Sequence, residues 1–213
     1  MRKALTGIVL MLAGMAQAEE VVIAALGDSL TQGYGLVTED GFVPQLEGWL
    51  AAQGAEVRLI NAGVSGDTTA GGLARVDWTL TPEVDGVIVA LGGNDVLRGL
   101  DPAQARANLD GIMQAAGTAD VEVLLIGMEA PNNYGPDYKA AFDAIYPELA
   151  ETYGSLYLDS FFAGLRDGEG TPDPAALRPF FQADGIHPNA EGVARIVESV
   201  GPKVLELITR IED

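Results

Sequence analysis

The chain has 213 residues, 48% of them hydrophobic, and its 12 basic and 31 acidic side chains give a net charge of −19. This charge argues against nucleic-acid binding, which depends on neutralising phosphates with Lys and Arg, and it opposes attachment to an anionic membrane surface. With no cysteine and one histidine, disulfides, thiolate metal sites and cysteine nucleophiles are excluded, and neither a metal nor a cofactor is expected.

The first 18 residues have the pattern of a secretory signal peptide. Arg2 and Lys3 form a charged start, residues 4–15 are mostly apolar, and Ala16-Gln17-Ala18 matches a small-x-small cleavage site. The apolar run falls short of the ~20 residues that a membrane span needs, so cleavage is favoured over a membrane anchor. We therefore expect a periplasmic or secreted protein without stable membrane insertion, in which residues 19–213 form one mature domain.

After this segment, strand patterns alternate with helix patterns along the chain. Apolar and β-branched runs predict five strands, at residues 21–26, 57–61, 87–91, 121–127 and 155–158. Apolar residues at helical spacing, with caps and prolines at their ends, predict helices at residues 42–53, 68–80, 102–116, 136–153 and 189–212. Pro147 is expected to kink or split the fourth of these helices. The alternation predicts a single α/β domain with a parallel sheet between helices.

Polar, glycine-rich clusters follow the first three strands directly. They are Gly27-Asp28-Ser29, Asn61-Ala62-Gly63-Val64-Ser65-Gly66-Asp67 and Gly92-Gly93-Asn94-Asp95. Because the carboxyl ends of parallel strands lie along one edge of a sheet, we expect these clusters to converge. A serine at that edge needs a base to take its proton, and the one histidine is His187, in Asp184-Gly185-Ile186-His187-Pro188.

Together these residue types can perform acyl transfer. That reaction needs a nucleophile, a base oriented by a carboxylate, and hydrogen-bond donors aimed at the developing oxyanion. Ser29 can be the nucleophile, His187 the base and Asp184 the carboxylate. The backbone N–H groups of Gly66 and Ser29 and the side-chain amide of Asn94 can be the donors.

Each residue also has an ordinary structural interpretation. Ser29 could cap a following helix, Asn94 could close an Asx turn, and the glycines could serve only tight turns. A single histidine before a proline is more often a loop residue than a catalyst, and Asp28 is interpreted as structural, bonding to the local backbone. The catalytic interpretation is favoured because all of these residues fall where one site would form.

The four blocks resemble the SGNH, or GDSL, hydrolase family, which is named for a Ser, a Gly, an Asn and a His in separate blocks. Gly27-Asp28-Ser29-Leu30 matches the first block, residues 61–68 the second, Gly92-Gly93-Asn94-Asp95 the third and residues 184–188 the last. Residues 94–99, 133–135 and 141–147 are similar to the branch of secreted acyl-CoA thioesterase I, lysophospholipase L1 and arylesterase.

The resemblance implies a flavodoxin-like, three-layer α/β/α fold with a five-stranded parallel sheet. It also implies Ser29 as nucleophile, His187 as base and Asp184 as the partner of that base. An oxyanion hole is implied from Ser29, Gly66 and Asn94. Gly63 lies in the same block as Gly66 and is the alternative donor, but Gly66 is favoured because it belongs to the Ser-Gly-Asp-Thr run.

The expected activity is that of an exported serine esterase that hydrolyses carboxylic ester or thioester bonds, as a monomer with a small substrate as its partner. Loop residues 128–134 and 161–181 are expected to build the acyl pocket, with Met128, Leu177, Phe180 and Phe181 as apolar members, although core packing explains these residues equally well. Two alternatives stay open: a carbohydrate acetyl esterase of the same family, and a non-catalytic flavodoxin-like binding module.

Overall fold

The computed structural model describes residues 20–166 and 174–213. The predicted signal peptide, at residues 1–18, lies outside the described residues, as does the stretch 167–173 of the predicted pocket loop. Expectations for these two stretches stay predictions.

The centre of the fold is one sheet of five parallel strands in the order β2-β1-β3-β4-β5. The strands are β1 (Val21–Gly27), β2 (Val57–Gly63), β3 (Gly86–Ala90), β4 (Glu122–Ile126) and β5 (Leu156–Leu158). Every residue of β1 and β3 is buried, as expected for central strands that are covered on both faces. All five predicted strands are therefore confirmed, with ends that shift by at most two residues.

Nine α-helical segments are assigned within the described residues. They are α1 (Ser29–Gln32), α2 (Phe42–Ala52), α3 (Thr69–Thr79), α4 (Gly93–Leu97), α5 (Pro102–Thr118), α6 (Pro136–Asp143), α7 (Ile145–Tyr153), α8 (Pro174–Leu177) and α9 (Ala190–Glu212). Thr68 caps α3 and Asp101 caps α5, each through its side chain, as the sequence predicts. No helix in the described ranges is both long and apolar enough to cross a membrane.

The helices cover both faces of the sheet, which confirms the three-layer α/β/α fold. The long helix α9 packs against α2, and α3 packs against α5. The apolar stripe of α9 is fully buried at Ile196, Val200 and Val204, so this helix is a main part of the core.

The expected split of the helix over residues 136–153 is confirmed. It forms two helices, α6 and α7, and Pro147 lies in the first turn of α7, where its missing N–H leaves no intrahelical bond unmade. The short helices α1 and α4 were not predicted as elements, because four or five residues are too few to show helical periodicity.

The contact between α2 and α9 predicts opposite effects for two helical glycines. A Cβ on Gly201 of α9 would lie 2.4 Å from the ring of Trp49, whereas one on Gly48 of α2 would meet nothing within 4 Å. Gly201→Ala is therefore expected to destabilise the protein by about 1–3 kcal/mol through overpacking. Gly48→Ala, the matched control, is expected to stabilise it by about 0.5–1 kcal/mol, because alanine loses less backbone entropy. Urea unfolding of both variants measures the difference, and equal effects would contradict close packing at Gly201.

Candidate active site

Ser29 is the first residue of α1, immediately beyond the end of β1. The preceding residue, Asp28, caps this helix, since its carboxylate accepts a hydrogen bond from the N–H of Leu30 at 3.0 Å. The interpretation of Ser29 as the helix cap is therefore wrong, and the predicted local bonding of Asp28 is confirmed. The hydroxyl of Ser29 is left to bond elsewhere.

Ser29, His187 and Asp184 form a continuous hydrogen-bonded series. His187 Nε2 lies 2.9 Å from Ser29 Oγ, and His187 Nδ1 lies 2.7 Å from Asp184 Oδ2. Because a carboxylate can only accept, Nδ1 carries the proton and Nε2 accepts the hydroxyl proton of Ser29. In this arrangement an imidazole can take a proton from a serine.

The carboxylate of Asp184 is held from two sides. Its second oxygen accepts hydrogen bonds from the backbone N–H groups of Ile186, at 2.9 Å, and His187, at 3.0 Å. The hydrogen bond from the imidazole, together with these backbone donors, lowers the pKa of Asp184 to about 2. Asp184 is therefore ionised in weakly acidic as well as neutral solution, although its side chain is 38% exposed.

His187 is also held through its ring face and its backbone. The ring of Tyr34 lies over the imidazole, with 4.6 Å between centroids and 37° between planes. Gln182 joins the two loops: its side-chain amide donates to the carbonyls of Tyr34, at 2.8 Å, and Pro188, at 2.9 Å. The backbone N–H of Gln182 donates to the carbonyl of His187 at 2.8 Å. Sequence reasoning missed both Tyr34 and Gln182, which carry no motif of their own beyond standing near Ser29 and His187 in the chain.

Asn94 is linked to the segment that carries Ser29 through Asp28. The side-chain amide of Asn94, in α4, donates to Asp28 Oδ2 at 3.1 Å. Asp28 is only 1% exposed, and this burial raises its pKa to about 6, against the lowering effect of the hydrogen bonds from Leu30 and Asn94. The bond places the Asn94 amide beside Ser29, a link that the sequence did not predict.

A second buried carboxylate, Asp95, anchors the helix that carries Asn94. Its two oxygens accept hydrogen bonds from the N–H of Thr69, at 2.8 Å, and the Thr69 hydroxyl, at 2.7 Å. Asn108 donates to that hydroxyl at 3.0 Å. This network fixes α4 against the start of α3 and was also missed from the sequence.

Gly63 serves packing rather than the site. Its N–H already donates to Asn61 Oδ1 at 3.0 Å. A Cβ at this position would lie 2.3 Å from the backbone nitrogen of Gln32, so a glycine is needed for α1 to lie against β2. These contacts weigh against Gly63 as the oxyanion donor.

Gly66 occupies the third position of a tight turn that begins at Val64. The turn is closed by a 3.0 Å hydrogen bond from the N–H of Asp67 to the carbonyl of Val64, and Gly66 has a φ of +86°, which favours glycine there. Within the described part of the chain, neither the N–H of Gly66 nor that of Ser29 donates a hydrogen bond. Both groups are available to a ligand.

Comparison with known proteins identifies the family. A family model described as the GDSL-like lipase/acylhydrolase family matches residues 25–195. The chain belongs to this family.

Three relatives illustrate how close the similarity is. Esterase TesA of Pseudomonas aeruginosa is 38% identical over 90% of this chain and 92% of its own. The protein named thioesterase 1/protease 1/lysophospholipase L1 of Escherichia coli is 35% identical over 86% of this chain and 83% of its own. The crystal structure of AlinE4, an SGNH-hydrolase family esterase, is 42% identical, covers 90% of this chain and 98% of its own, and superposes with a TM-score of 0.71.

In this SGNH hydrolase, a cleft of about 290 Å³ opens at Ser29. Its apolar wall includes Leu30, Val96, Leu97, Met128, Pro131 and Phe162. The prediction that Met128 lines a pocket is confirmed. Leu177, Phe180 and Phe181 are not among the residues that line this cleft; they are partly buried and pack against the core, the alternative that the sequence left open.

Metal ligands do not cluster in the described ranges 20–166 and 174–213: these contain no group of three His, Cys, Asp or Glu residues arranged to hold a metal ion. The chemistry available at the cleft is that of Ser29, His187 and Asp184 with the nearby amide groups.

The buried carboxyl of Asp28 predicts a pH-dependent gain in stability for Asp28→Asn. Burial raises the pKa of Asp28 from 3.8 to about 6, so between these pH values the folded state keeps the proton while the unfolded state loses it. The stability that Asp28 gives to the fold therefore falls as the pH rises and is lowest above about pH 6. Asparagine is free of that ionisation. The stability of Asp28→Asn relative to the original protein should therefore rise by about 2 kcal/mol between about pH 4 and about pH 7.

Urea unfolding across this pH range measures the difference between the two proteins. Asp77→Asn, which removes an acidic charge from the exposed face of α3, is the control for net charge. A constant difference between Asp28→Asn and the original protein would show that burial does not disfavour the Asp28 carboxylate.

Proposed function

We propose that this chain is an exported serine esterase that hydrolyses carboxylic ester or thioester bonds through an acyl-enzyme on Ser29. The observation that carries the proposal is the hydrogen-bonded series of Ser29, His187 and Asp184 at a partly apolar cleft. Similarity to relatives named esterase TesA and thioesterase 1/protease 1/lysophospholipase L1 supports the same reaction class.

In the acylation step, Ser29 Oγ attacks the carbonyl carbon of the substrate while His187 Nε2 takes the hydroxyl proton. The negative charge of Asp184 stabilises the imidazolium that forms, and its hydrogen bond keeps Nε2 facing Ser29. The imidazolium then gives its proton to the leaving alcohol or thiol as the carbon–oxygen or carbon–sulfur bond breaks. The acyl group is left on Ser29.

In the deacylation step, His187 takes a proton from a water molecule that attacks the acyl-enzyme. The second tetrahedral intermediate collapses, the carboxylic acid leaves, and the proton returns to Ser29 Oγ through the imidazole. The cycle balances with one water consumed for each ester bond broken, and it uses only side chains of this protein.

The oxyanion of each tetrahedral intermediate needs donors that are already in place. We assign this role to the N–H groups of Ser29 and Gly66, which have no acceptor within the described residues, and to the Asn94 amide. One N–H of Asn94 is given to Asp28, so the second can point to the oxyanion. Gly66 is preferred to Gly63 because the N–H of Gly63 is already bonded to Asn61.

The cleft supports a substrate with a short or medium acyl chain. Its walls come from the loops after β1, β3, β4 and β5, and side chains such as Met128 and Phe162 provide apolar surface next to Ser29. Burying acyl methylenes there is favourable by about 0.8 kcal/mol for each group.

Export and a monomeric state are part of the proposal. Export rests on the charged, apolar and small-residue pattern of residues 1–18, and the monomer is the simplest assembly for a site whose residues all come from one chain. The proposed ligand is a small ester or thioester.

Replacing the nucleophile tests the proposed reaction. Ser29→Ala is expected to lower the turnover of p-nitrophenyl butyrate by at least about 10³-fold, because the acyl-enzyme cannot form. The matched control is Ser155→Ala, which removes a hydroxyl just before β5 and should retain full activity. Equal turnover in both variants would remove Ser29 from the mechanism and favour a binding protein.

The size of the cleft leads to a second test. For p-nitrophenyl esters of increasing length, kcat/KM is expected to rise from acetyl to butyryl by up to about four-fold for each methylene, the equivalent of about 0.8 kcal/mol. Steady-state kinetics over an acetyl, propionyl, butyryl and hexanoyl series measures this slope. A preference for acetyl over butyryl would contradict an acyl role for the cleft and favour an acetyl esterase.

A further inference from the structure

Arg75, on α3, binds the ends of two strands and the loop beyond one of them. Its Nη2 donates to the carbonyl of Gly27 at 2.8 Å, its Nη1 donates to the carbonyl of Ala62 at 2.7 Å, and its Nε donates to Asp67 Oδ2 at 2.7 Å. The side chains of Arg75 and Asp67 are only 22% and 19% exposed. The planar guanidinium presents donors in several fixed directions, which suits three acceptors at once.

These acceptors surround the turn that carries Gly66. Asp67 is the last residue of that turn, and the carbonyl of Gly27 also accepts the N–H of Val64, its first residue, at 3.0 Å. Arg75 therefore bonds one end of the turn directly and the other end through Gly27. No other interaction described above joins both ends of this turn to the strand that leads to Ser29.

The same contacts link the two backbone donors of the proposed oxyanion hole. Gly27 is two residues before Ser29, and Asp67 is one residue after Gly66. The carbonyl of Gly66 is bonded separately by Arg98 at 2.7 Å, from the end of α4. Arg75 thus connects the nucleophile segment to the Gly66 turn, whereas Arg98 connects the turn to α4.

We propose that Arg75 is a positioning residue that sets the separation of the Ser29 and Gly66 N–H groups. The inference rests on the proposed function, because it gives Arg75 a role only if these groups stabilise an oxyanion. Arg75 touches neither the reacting atoms nor the substrate. It acts by keeping the Gly66 turn at a fixed distance from the end of β1, so that both donors meet the same oxygen.

The prediction is a loss of turnover with little loss of substrate binding. Donors that are displaced but not removed should cost less than the ~10²–10³-fold that follows removal of one donor. Arg75→Met is therefore expected to lower kcat for p-nitrophenyl butyrate by about 10–100-fold while KM changes by less than about two-fold. Arg75→Lys keeps the positive charge, but its single ammonium group cannot bond three separate acceptors at once. Its kcat should therefore lie between those of Arg75→Met and the original protein.

Arg58→Met is the matched control. Arg58 pairs with Glu83 at 2.8 Å and lies at the start of β2, the opposite end of that strand from Gly63. Its replacement removes the same charge and should leave kcat unchanged. Thermal unfolding of each variant shows whether the kcat measurement is made on folded protein.

The outcomes separate this inference from the proposed function. If Arg75→Met matches Arg58→Met in kcat, or loses activity only through KM, the positioning role is overturned. If Ser29→Ala retains full turnover, the proposed function fails, whatever Arg75 does. Loss of activity in Ser29→Ala together with normal kcat in Arg75→Met would overturn the Arg75 inference alone.

Asp67→Asn keeps the test decisive if Arg75→Met does not fold. This variant weakens one of the three bonds of Arg75 and leaves the two strand contacts in place. A lower kcat at unchanged KM is expected, with Asp77→Asn as control. A kcat equal to that of Asp77→Asn would overturn the role of Arg75.

Discussion

The site depends on the parallel register of three strands. Gly27, the last residue of β1, is paired with Gly63 at the end of β2 and with Ala90 at the end of β3. In the order β2-β1-β3-β4-β5 the connections leave β1 and β3 on opposite sides, which opens a crevice between these two strands. Ser29 follows β1 and Asn94 follows β3, so the crevice lies between the proposed nucleophile and the proposed side-chain donor. Backbone pairing inside the sheet thus sets distances between groups that are 65 residues apart in sequence.

The other half of the site depends on burial of the last helix. His187 comes two residues before the cap of α9, Asn189, whose side chain accepts the N–H of Gly192 at 3.0 Å. The side-chain amide and the backbone N–H of Asn189 donate to the carbonyls of Pro179, at 2.7 Å, and Phe180, at 2.9 Å. Because the apolar stripe of α9 is buried against the sheet and α2, the start of the helix is a fixed point. A short loop can then hold an imidazole within hydrogen-bond distance of Ser29.

Sequence patterns predicted the elements that repeat and missed those that depend on long-range contacts. The strands were predictable because a strand covered on both faces reads as a continuous apolar run, as in β1 and β3. The convergence of Ser29 and Asn94 followed from the topology, and the pairing with His187 from there being a single base in the chain.

Contacts between distant polar groups leave no such pattern. Asp28 could be given a local bond from its place before a helix, but nothing in the chain indicates that it accepts from Asn94, 66 residues later. Arg75 looks like any arginine on a helix, because two of its acceptors are backbone carbonyls, which every residue has. The apolar residues of the loop after β5 were ambiguous for a similar reason. Phe162 and Phe181 are both partly buried against the core, and composition cannot show that only Phe162 of the two lines the cleft. The hydrogen bond between Asp28 and Asn94 has an energetic cost, because burial disfavours the ionised form of Asp28. In return, the carboxylate caps α1 and orients the Asn94 amide beside Ser29. A fold optimised only for stability would place a neutral side chain there, so the buried acid is best understood as a local loss of stability that holds the site in its geometry.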